Sequence, residues 1–168
     1  NDAARVVEAC GSEATAVTYS ALADGYCRVG RLDEARRVVD GMPVRPSAYA
    51  YNPLIHALCV RGQVTDALVV LDGMLSRGCP PDVVTYNTLL AAHCRASGLD
   101  AGFAVLRRMR EAGVSPDAVT YNSLIAGAAR RGLTMRALDL FDEMLQPSWC
   151  HFVPISSHDG IATPSRHT

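Results

Sequence analysis

The chain has 168 residues, of which 49% are hydrophobic, so it has enough apolar side chains to build a packed core. Its 16 basic and 17 acidic residues give a net charge of -1, which excludes a protein that holds nucleic acid by charge alone. No apolar run approaches the roughly 18 residues that a membrane span needs, and the first residues show neither a secretory nor an organelle-targeting pattern.

Repeating units follow one another along the chain. They begin at positions 16, 48, 83 and 118, at intervals of 32, 35 and 35 residues by subtraction, and each contains a Tyr followed by Ser or Asn. The clearest copies are PDVVTYN, which ends at Asn87, and PDAVTYN, which ends at Asn122. Three columns that stay in phase indicate a repeat architecture. They are Tyr19, Tyr51, Tyr86 and Tyr121; Ala35, Ala67, Gly102 and Ala137; and Met42, Met74, Met109 and Met144.

The units and the two chain ends define the predicted organisation. The first residues, NDAARVVEAC, align with DEARRVVDGM of the first unit, which predicts that the chain opens within a repeat. The first unit is short because GMPVRPS replaces a longer turn after its Met, and the register is lost after residue 145. The predicted segments are 1–15, the second helix of an incomplete preceding repeat; 16–47, a short repeat; 48–82 and 83–117, two full repeats; 118–145, an incomplete repeat; and 146–168, an irregular or disordered tail.

Each unit is predicted to form two helices joined by a turn. In the third unit, apolar residues at helical spacing mark one face before and another face after a Ser-Gly break. The predicted turn residues are Gly30, Gly62, Ser97 and Gly132. Gly78 and Gly113, each followed by Pro, are predicted to end the second helix. A lone hairpin cannot bury both faces, so the predicted fold class is all-α, an α-solenoid of stacked antiparallel helix-turn-helix hairpins.

The repeat resembles that of the pentatricopeptide repeat family in its plain 35-residue class. The shared features are VVTYNTL, a Gly near the middle, LDEA or a relative of it, a Met and a closing Pro-Asp, and they cover about residues 1–145, a fragment of about four repeats. Tetratricopeptide repeats also form helical hairpins, with a period of about 34 residues. They would show an early Trp and a Leu-Gly pair in the first helix, and neither occurs in these units.

The resemblance implies sequence-specific binding of single-stranded RNA, with one base read per repeat by two or three side chains. The reading pair would be the residue after the Tyr and the last residue of the repeat. In this family a reading pair of Asn and Asp recognises uracil. An Asn amide offers a donor and an acceptor side by side. The second and third units are therefore expected to read two uracils. The implied base-reading residues are Ser20 with Ser47, Asn52 with Asp82, Asn87 with Asp117, and Asn122, which has no assignable partner.

Two further columns resemble family positions that contact RNA. One column would sandwich bases between neighbouring repeats, and its aromatic member Tyr49 could stack on a base, although packing between helices explains the Val residues equally well. The other would lie near the phosphates, but Val60 interrupts it, and a solvated helix end explains it at least as well. The base-sandwiching residues are Val17, Tyr49, Val84 and Val119, and the phosphate-proximal residues are Arg28, Arg95 and Arg130.

Other chemistries find little support in the sequence. Cys27, Cys59 and Cys94 occupy one repeat column and no C-x-x-C occurs, which favours a core stripe over a metal site. His56 and His93 are interpreted as ordinary helix histidines. No phosphate-binding loop, nucleophile motif or deaminase signature is present. We therefore predict no enzyme activity, no cofactor and no metal.

The expected role is organelle RNA processing, stability or translation, in a mitochondrion or plastid, with no membrane partner. Two alternatives remain at this point. A protein–protein scaffold of the tetratricopeptide type would have the same shape without needing Asn and Asp columns. A truncated, non-functional fragment would explain why neither chain end has a polar capping unit. With three readable repeats the gross gain is roughly 3 to 9 kcal/mol, and a micromolar complex needs about 8, so weak binding is expected.

Overall fold

The fold is a series of helical hairpins. The computed structural model describes residues 15–43 and 46–145, and these contain eight helices and no strand. The predicted preceding helix, the tail and part of the short first turn lie outside the described residues. The helices are α1 (Ala16–Arg28), α2 (Leu32–Asp40), α3 (Ala48–Val60), α4 (Val64–Ser76), α5 (Val83–Ala96), α6 (Leu99–Glu111), α7 (Ala118–Arg130) and α8 (Thr134–Leu145).

The hairpins stack in two layers. Within each hairpin the first helix packs against the second, and the first helices also pack against one another, α1 on α3, α3 on α5 and α5 on α7. The second helices α2, α4 and α6 contact the first helix of the following hairpin. The predicted all-α solenoid is confirmed. This stacking places equivalent positions of consecutive first helices side by side along one surface.

A continuous core lies between the two layers. It contains the Tyr column, with Tyr51, Tyr86 and Tyr121 at most 2% exposed, together with Ala35 and Ala67 of the small-residue column. At Gly102 an added Cβ would lie only 2.1 Å from the sulfur of Cys94. Glycine at this position therefore lets α6 approach α5 closely, which a larger side chain would prevent.

The cysteine column contributes to the same core. Cys59 and Cys94 are buried, Cys27 is half-buried, and all three carry free thiols. Burial raises the pKa of the Cys27 thiol and of the Cys59 thiol to about 11. These thiols are protonated at neutral pH and pack as small apolar groups.

Glycines in the left-handed region end the first helices. Gly30, Gly62 and Gly132 have φ of 80°, 76° and 70°. In the third hairpin Ser97 is the C-cap of α5 with φ -115°, and Gly98 takes the positive φ of 107°. Ser97 therefore lies in the turn as predicted, but the positive φ falls one residue later, because α5 has 14 residues where the other first helices have 13.

The second helices end in two different ways. Gly78 and Gly113 have φ of 67° and 73°, as expected for glycines that close α4 and α6. Gly41 after α2 has an ordinary φ of -86°. Arg77 satisfies that end instead, since its guanidinium donates to the carbonyl oxygens of Val39 at 2.6 Å and Met42 at 3.1 Å. A side chain from the following hairpin thus satisfies the carbonyl groups at the C-terminal end of α2.

Gly62 and Gly73 form a matched pair for a stability test. A Cβ added to either residue meets no atom within 4 Å, but only Gly62 has a positive φ, 76°. Gly62→Ala should therefore lower the free energy of unfolding by about 1–2 kcal/mol through backbone strain. Gly73 lies inside α4, so Gly73→Ala should raise the free energy of unfolding by about 0.5–1 kcal/mol. Urea denaturation followed by circular dichroism measures both, and changes of the same sign would contradict this account.

Candidate nucleic-acid interface

An exposed apolar column runs along the row of first helices. Its members are the second residues of α1, α3, α5 and α7, and they do not join the buried core. Their exposed fractions are 76% for Val17, 82% for Tyr49, 55% for Val84 and 55% for Val119. Tyr49 presents a nearly free aromatic ring, the kind of surface on which a planar base can stack.

Both predicted Asn–Asp pairs meet across a boundary between hairpins. Asn52 on α3 donates from Nδ2 to Oδ1 of Asp82 at 3.2 Å, and Asp82 is the N-cap of α5. Asn87 on α5 donates from Nδ2 to Oδ1 of Asp117 at 2.9 Å, and Asp117 is the N-cap of α7. Each pair therefore links a hairpin to the start of the following one.

A buried threonine completes each pair. Thr85 Oγ1 lies 2.6 Å from Asn52 Oδ1 and 2.8 Å from Asp82 Oδ1. Thr120 Oγ1 lies 2.6 Å from Asn87 Oδ1 and 3.0 Å from Asp117 Oδ1. Both threonines are the third residue of their helix and form a capping box with the Asp. Sequence reasoning missed them, although the Asp-x-x-Thr spacing was a visible signal.

The two aspartates are held in the ionised form. Burial alone would raise the pKa of Asp82, but hydrogen bonds from Thr85 and Asn52 outweigh it and hold the pKa below its ordinary value. The pKa of Asp117 is lowered in the same way by Thr120 and Asn87. An ionised carboxylate only accepts hydrogen bonds, so the amide of each Asn must turn its nitrogen toward the Asp.

The first and last predicted readers lack this network. The Ser20 hydroxyl donates to the Ala16 carbonyl at 2.7 Å, and Ser47 makes no side-chain cap hydrogen bond to α3. Ala50 occupies the position of the two threonines. The Asn122 side chain is exposed and has no hydrogen-bond partner among the described residues. The predicted readers are therefore not equivalent.

Clefts between neighbouring first helices gather most of the predicted site residues. One cleft has a volume of about 630 Å³, a second about 750 Å³ and a third about 310 Å³. Tyr49 lines the first two, so it stands between them. Asn87 and Asp117 line none of these three, and Asn87 is only 9% exposed. The site residues are Val17, Ser20, Ser47 and Tyr49 in the first; Arg28, Tyr49, Asn52, Asp82 and Val84 in the second; and Arg95, Val119, Asn122 and Arg130 in the third.

The three predicted phosphate-proximal arginines differ in their partners. Arg28 forms an ion pair with Asp24 at 2.9 Å, one helical turn earlier on α1. Arg95 and Arg130 are exposed and form no ion pair within residues 15–43 and 46–145. Positive charge that is not neutralised by a neighbour is thus available at the third cleft.

The two histidines within the described residues lie in different environments. His93 is buried, with Nδ1 2.9 Å from the Leu89 carbonyl oxygen, and exposed His56 lines the second cleft. In the described part of the chain, no three His, Cys, Asp or Glu side chains are placed to hold a metal ion. No helix in that part has the length and apolar composition needed to cross a membrane.

Family comparisons identify the repeat. The profile of the PPR repeat family matches residues 46–95 and 81–130. Profiles of the PPR repeat match residues 10–43 and 119–146. The chain therefore belongs to the pentatricopeptide repeat family. No curated protein matches the chain significantly.

Solved structures of pentatricopeptide repeat proteins share this architecture. PPR10 from maize matches 91% of this chain with a TM-score of 0.67 and 28% identity, and the chain covers 27% of it. PPR10 in complex with an 18-nt psaJ RNA element matches 80% of this chain with a TM-score of 0.61 and 30% identity, and the chain covers 21% of it. The PPR domain of Arabidopsis thaliana protein-only RNase P 1, in complex with tRNA, matches 92% of this chain with a TM-score of 0.66 and 16% identity. This chain covers 83% of that domain. The chain thus spans 27% or less of these PPR10 chains.

Asp82 and Asp117 should make the stability of the protein depend on pH. Their pKa values are lower in the folded protein than the unfolded value of about 3.9. Their contribution to stability is therefore present above about pH 4 and lost as the pH falls through the folded pKa. The double variant Asp82→Asn, Asp117→Asn keeps a good N-cap residue, so its melting temperature should fall less steeply than that of the wild type as the pH drops below about 4.

Circular dichroism at several pH values measures this difference. The control variant is Asp139→Asn with Asp142→Asn, which removes two exposed carboxylates of α8 that have no hydrogen bond among the described residues. It should keep the wild-type dependence on pH. Identical slopes for the wild type and the Asp82, Asp117 variant would refute the assignment.

Proposed function

We propose that this chain is part of a sequence-specific binder of single-stranded RNA in which each hairpin reads one base. The observation that carries the proposal is the repeated Asn–Asp pair at the boundary between hairpins, beside the exposed apolar column. Membership of the pentatricopeptide repeat family supports it. So does the likeness to maize PPR10, which was solved in complex with an 18-nt psaJ RNA element.

The Asn–Asp pairs favour uracil. Uracil presents a carbonyl acceptor next to an N–H donor along its pairing edge. The pairs of Asn52 with Asp82 and of Asn87 with Asp117 offer an amide N–H as donor and a carboxylate oxygen as acceptor. Two consecutive hairpins carry such pairs, so we propose a core of two uracils. Ser20 with Ser47 and Asn122 read the bases on either side.

Stacking and a few charges complete the proposed interface. Each base would lie between apolar side chains of neighbouring first helices, and the Tyr49 ring supplies about 1–3 kcal/mol of stacking. Arg28, Arg95 and Arg130 would lie near the phosphates. Because the net charge is only -1, few counterions are released and binding gains little from electrostatics. Affinity should therefore be modest and depend on base identity.

The proposed biological role is RNA processing, stability or translation in a mitochondrion or plastid. The chain would act there as a binding module, without a cofactor, metal or catalytic group of its own. This role follows from family membership. Protein partners of the solenoid are compatible with it.

Fluorescence anisotropy with labelled oligonucleotides tests the function. An A-rich strand with a UU core should bind more tightly than all-A or CC-core strands, with a dissociation constant in the micromolar range or weaker. The comparison is made at low salt, where weak complexes are easiest to detect. Equal and negligible binding to all strands would instead support a protein–protein scaffold or a non-functional fragment.

Substitutions in the two columns should have different effects. Tyr49→Ala should weaken binding to every strand by about 5- to 150-fold, because stacking is insensitive to base identity. Asn87→Thr with Asp117 resembles the family pair that reads guanine, so this variant should change base preference at one nucleotide. The control Val69→Ala lies on α4, outside the clefts described above, where the Val is 51% exposed, and should bind like the wild type. An unchanged preference in Asn87→Thr would count against the assigned columns.

A further inference from the structure

We infer that Thr85 and Thr120 are positioning residues that decide which atoms of Asn52 and Asn87 face the RNA base. The inference rests on the proposed function and deepens it. Each threonine is fully buried, lies in the hairpin after its Asn, and is 2.6 Å from the amide oxygen of that Asn. The predicted columns do not include it.

The geometry shows which edge of the amide is occupied. The nitrogen and oxygen of a side-chain amide are about 2.3 Å apart. Each atom has two hydrogen-bonding directions: one parallel to that of the other atom, on the edge that the two atoms share, and one that points outward, away from the other atom. Partners on the two outward directions would lie roughly 7 Å from each other. Thr85 Oγ1 and Asp82 Oδ1 are only 2.8 Å apart, and Thr120 Oγ1 and Asp117 Oδ1 are 3.0 Å apart. Each Asp and Thr therefore contact the shared edge together.

An occupied shared edge changes what the amide can offer. The side-by-side donor and acceptor expected from the sequence are used inside the protein, which leaves one outward N–H and one outward lone pair that point in different directions. Thr85 is 0% exposed, whereas Asn52 and Asp82 line the second cleft. The amide oxygen thus faces the buried side and the amide nitrogen faces the cleft. The cleft then presents the outward N–H of Asn52 beside the carboxylate of Asp82.

This arrangement presents the donor and the acceptor in a fixed order. Uracil carries a carbonyl acceptor and then an N–H donor where cytosine carries an amino donor and then a ring-nitrogen acceptor. A donor and an acceptor that are fixed in place can pair with only one of these two bases. An amide that can rotate by 180° exchanges its donor and its acceptor and can pair with both. Without the hydroxyl of Thr85, the Asn52 oxygen loses its partner, and the 3.2 Å contact of its nitrogen to Asp82 alone holds the amide, so that the shared edge can rotate toward the base. The threonine therefore supplies discrimination between uracil and cytosine.

The test replaces one hydroxyl at a time in the full chain. Thr85→Val and Thr120→Val keep the shape of the side chain. Affinity is measured for UU, CU, UC and CC cores in an A-rich strand. In the wild type each position should prefer uracil over cytosine by about 5-fold or more. Thr85→Val should reduce that preference to less than 2-fold at the nucleotide read by Asn52 only, and Thr120→Val at the nucleotide read by Asn87 only. Thr85→Ser, which keeps a hydroxyl, should restore it.

Position-specific loss separates positioning from a purely structural role. A structural defect would weaken binding to all four strands equally, and that result would overturn the inference. The control Thr18→Val changes the same position of α1, where the hydroxyl contacts only Thr15, at 3.4 Å, among the described residues. It should leave both preferences unchanged. Since either threonine tests the inference independently, failure of one variant to fold leaves the other decisive.

Side-chain amide NMR signals separate this inference from the proposed function. In the wild type the NH₂ signals of Asn52 and Asn87 should be dispersed, and Thr85→Val should shift those of Asn52 toward the signals of exposed Asn122. If these shifts occur and the wild type does not distinguish bases, the RNA-reading function fails and base positioning fails with it. If the wild type prefers uracil and Thr85→Val keeps the full preference, only the positioning inference is wrong.

Discussion

The hydrogen-bond network of Asp, Thr and Asn across each hairpin boundary is the interaction on which the proposed site depends. Asp82 caps α5 through the Thr85 N–H at 2.8 Å and also accepts from Asn52 of the previous hairpin. The start of one helix is thereby tied to a side chain of another. Removal of one member would leave a polar group without its partner, at a cost of about 1–3 kcal/mol. The contacts that link two hairpins therefore also orient the Asn amide.

The boundary after the first hairpin is held differently. Ser47 and Ala50 cannot form the network, and Arg77 instead binds the carbonyl groups at the end of α2. α1 nevertheless packs against α3, as the first helices do at the other boundaries. The packing of the hairpins thus does not depend on the Asp-Thr-Asn network in this solenoid. A boundary can keep the fold through its core and still lack an oriented amide, as the Ser20 position shows.

Much of this architecture was predictable because the same residue types recur at equivalent positions of each repeat, so that a pattern too weak to interpret in one repeat becomes clear over four. The Tyr, small-residue and Met columns gave the solenoid, and glycines gave the helix ends. The sequence placed the turn at Ser97 but could not show that the positive φ falls on Gly98, because adjacent small residues leave the exact helix end open. Thr85 and Thr120 were missed because a column shows which residues recur, not which side chains touch across a boundary. The 9% exposure of Asn87 depends on neighbours from two hairpins, which spacing alone cannot reveal.

The low net charge is consistent with this mode of recognition. A strongly basic groove would bind any RNA, because phosphate contacts do not depend on sequence. With a net charge of -1, the mismatched strand gains little from electrostatics, so its complex should be weak. In the proposed mode a matched strand would gain base stacking and hydrogen bonds at each hairpin, and these contributions would add along a row of similar units. Under this proposal four hairpins would give modest affinity, and base selectivity would depend on how firmly each Asn amide is held.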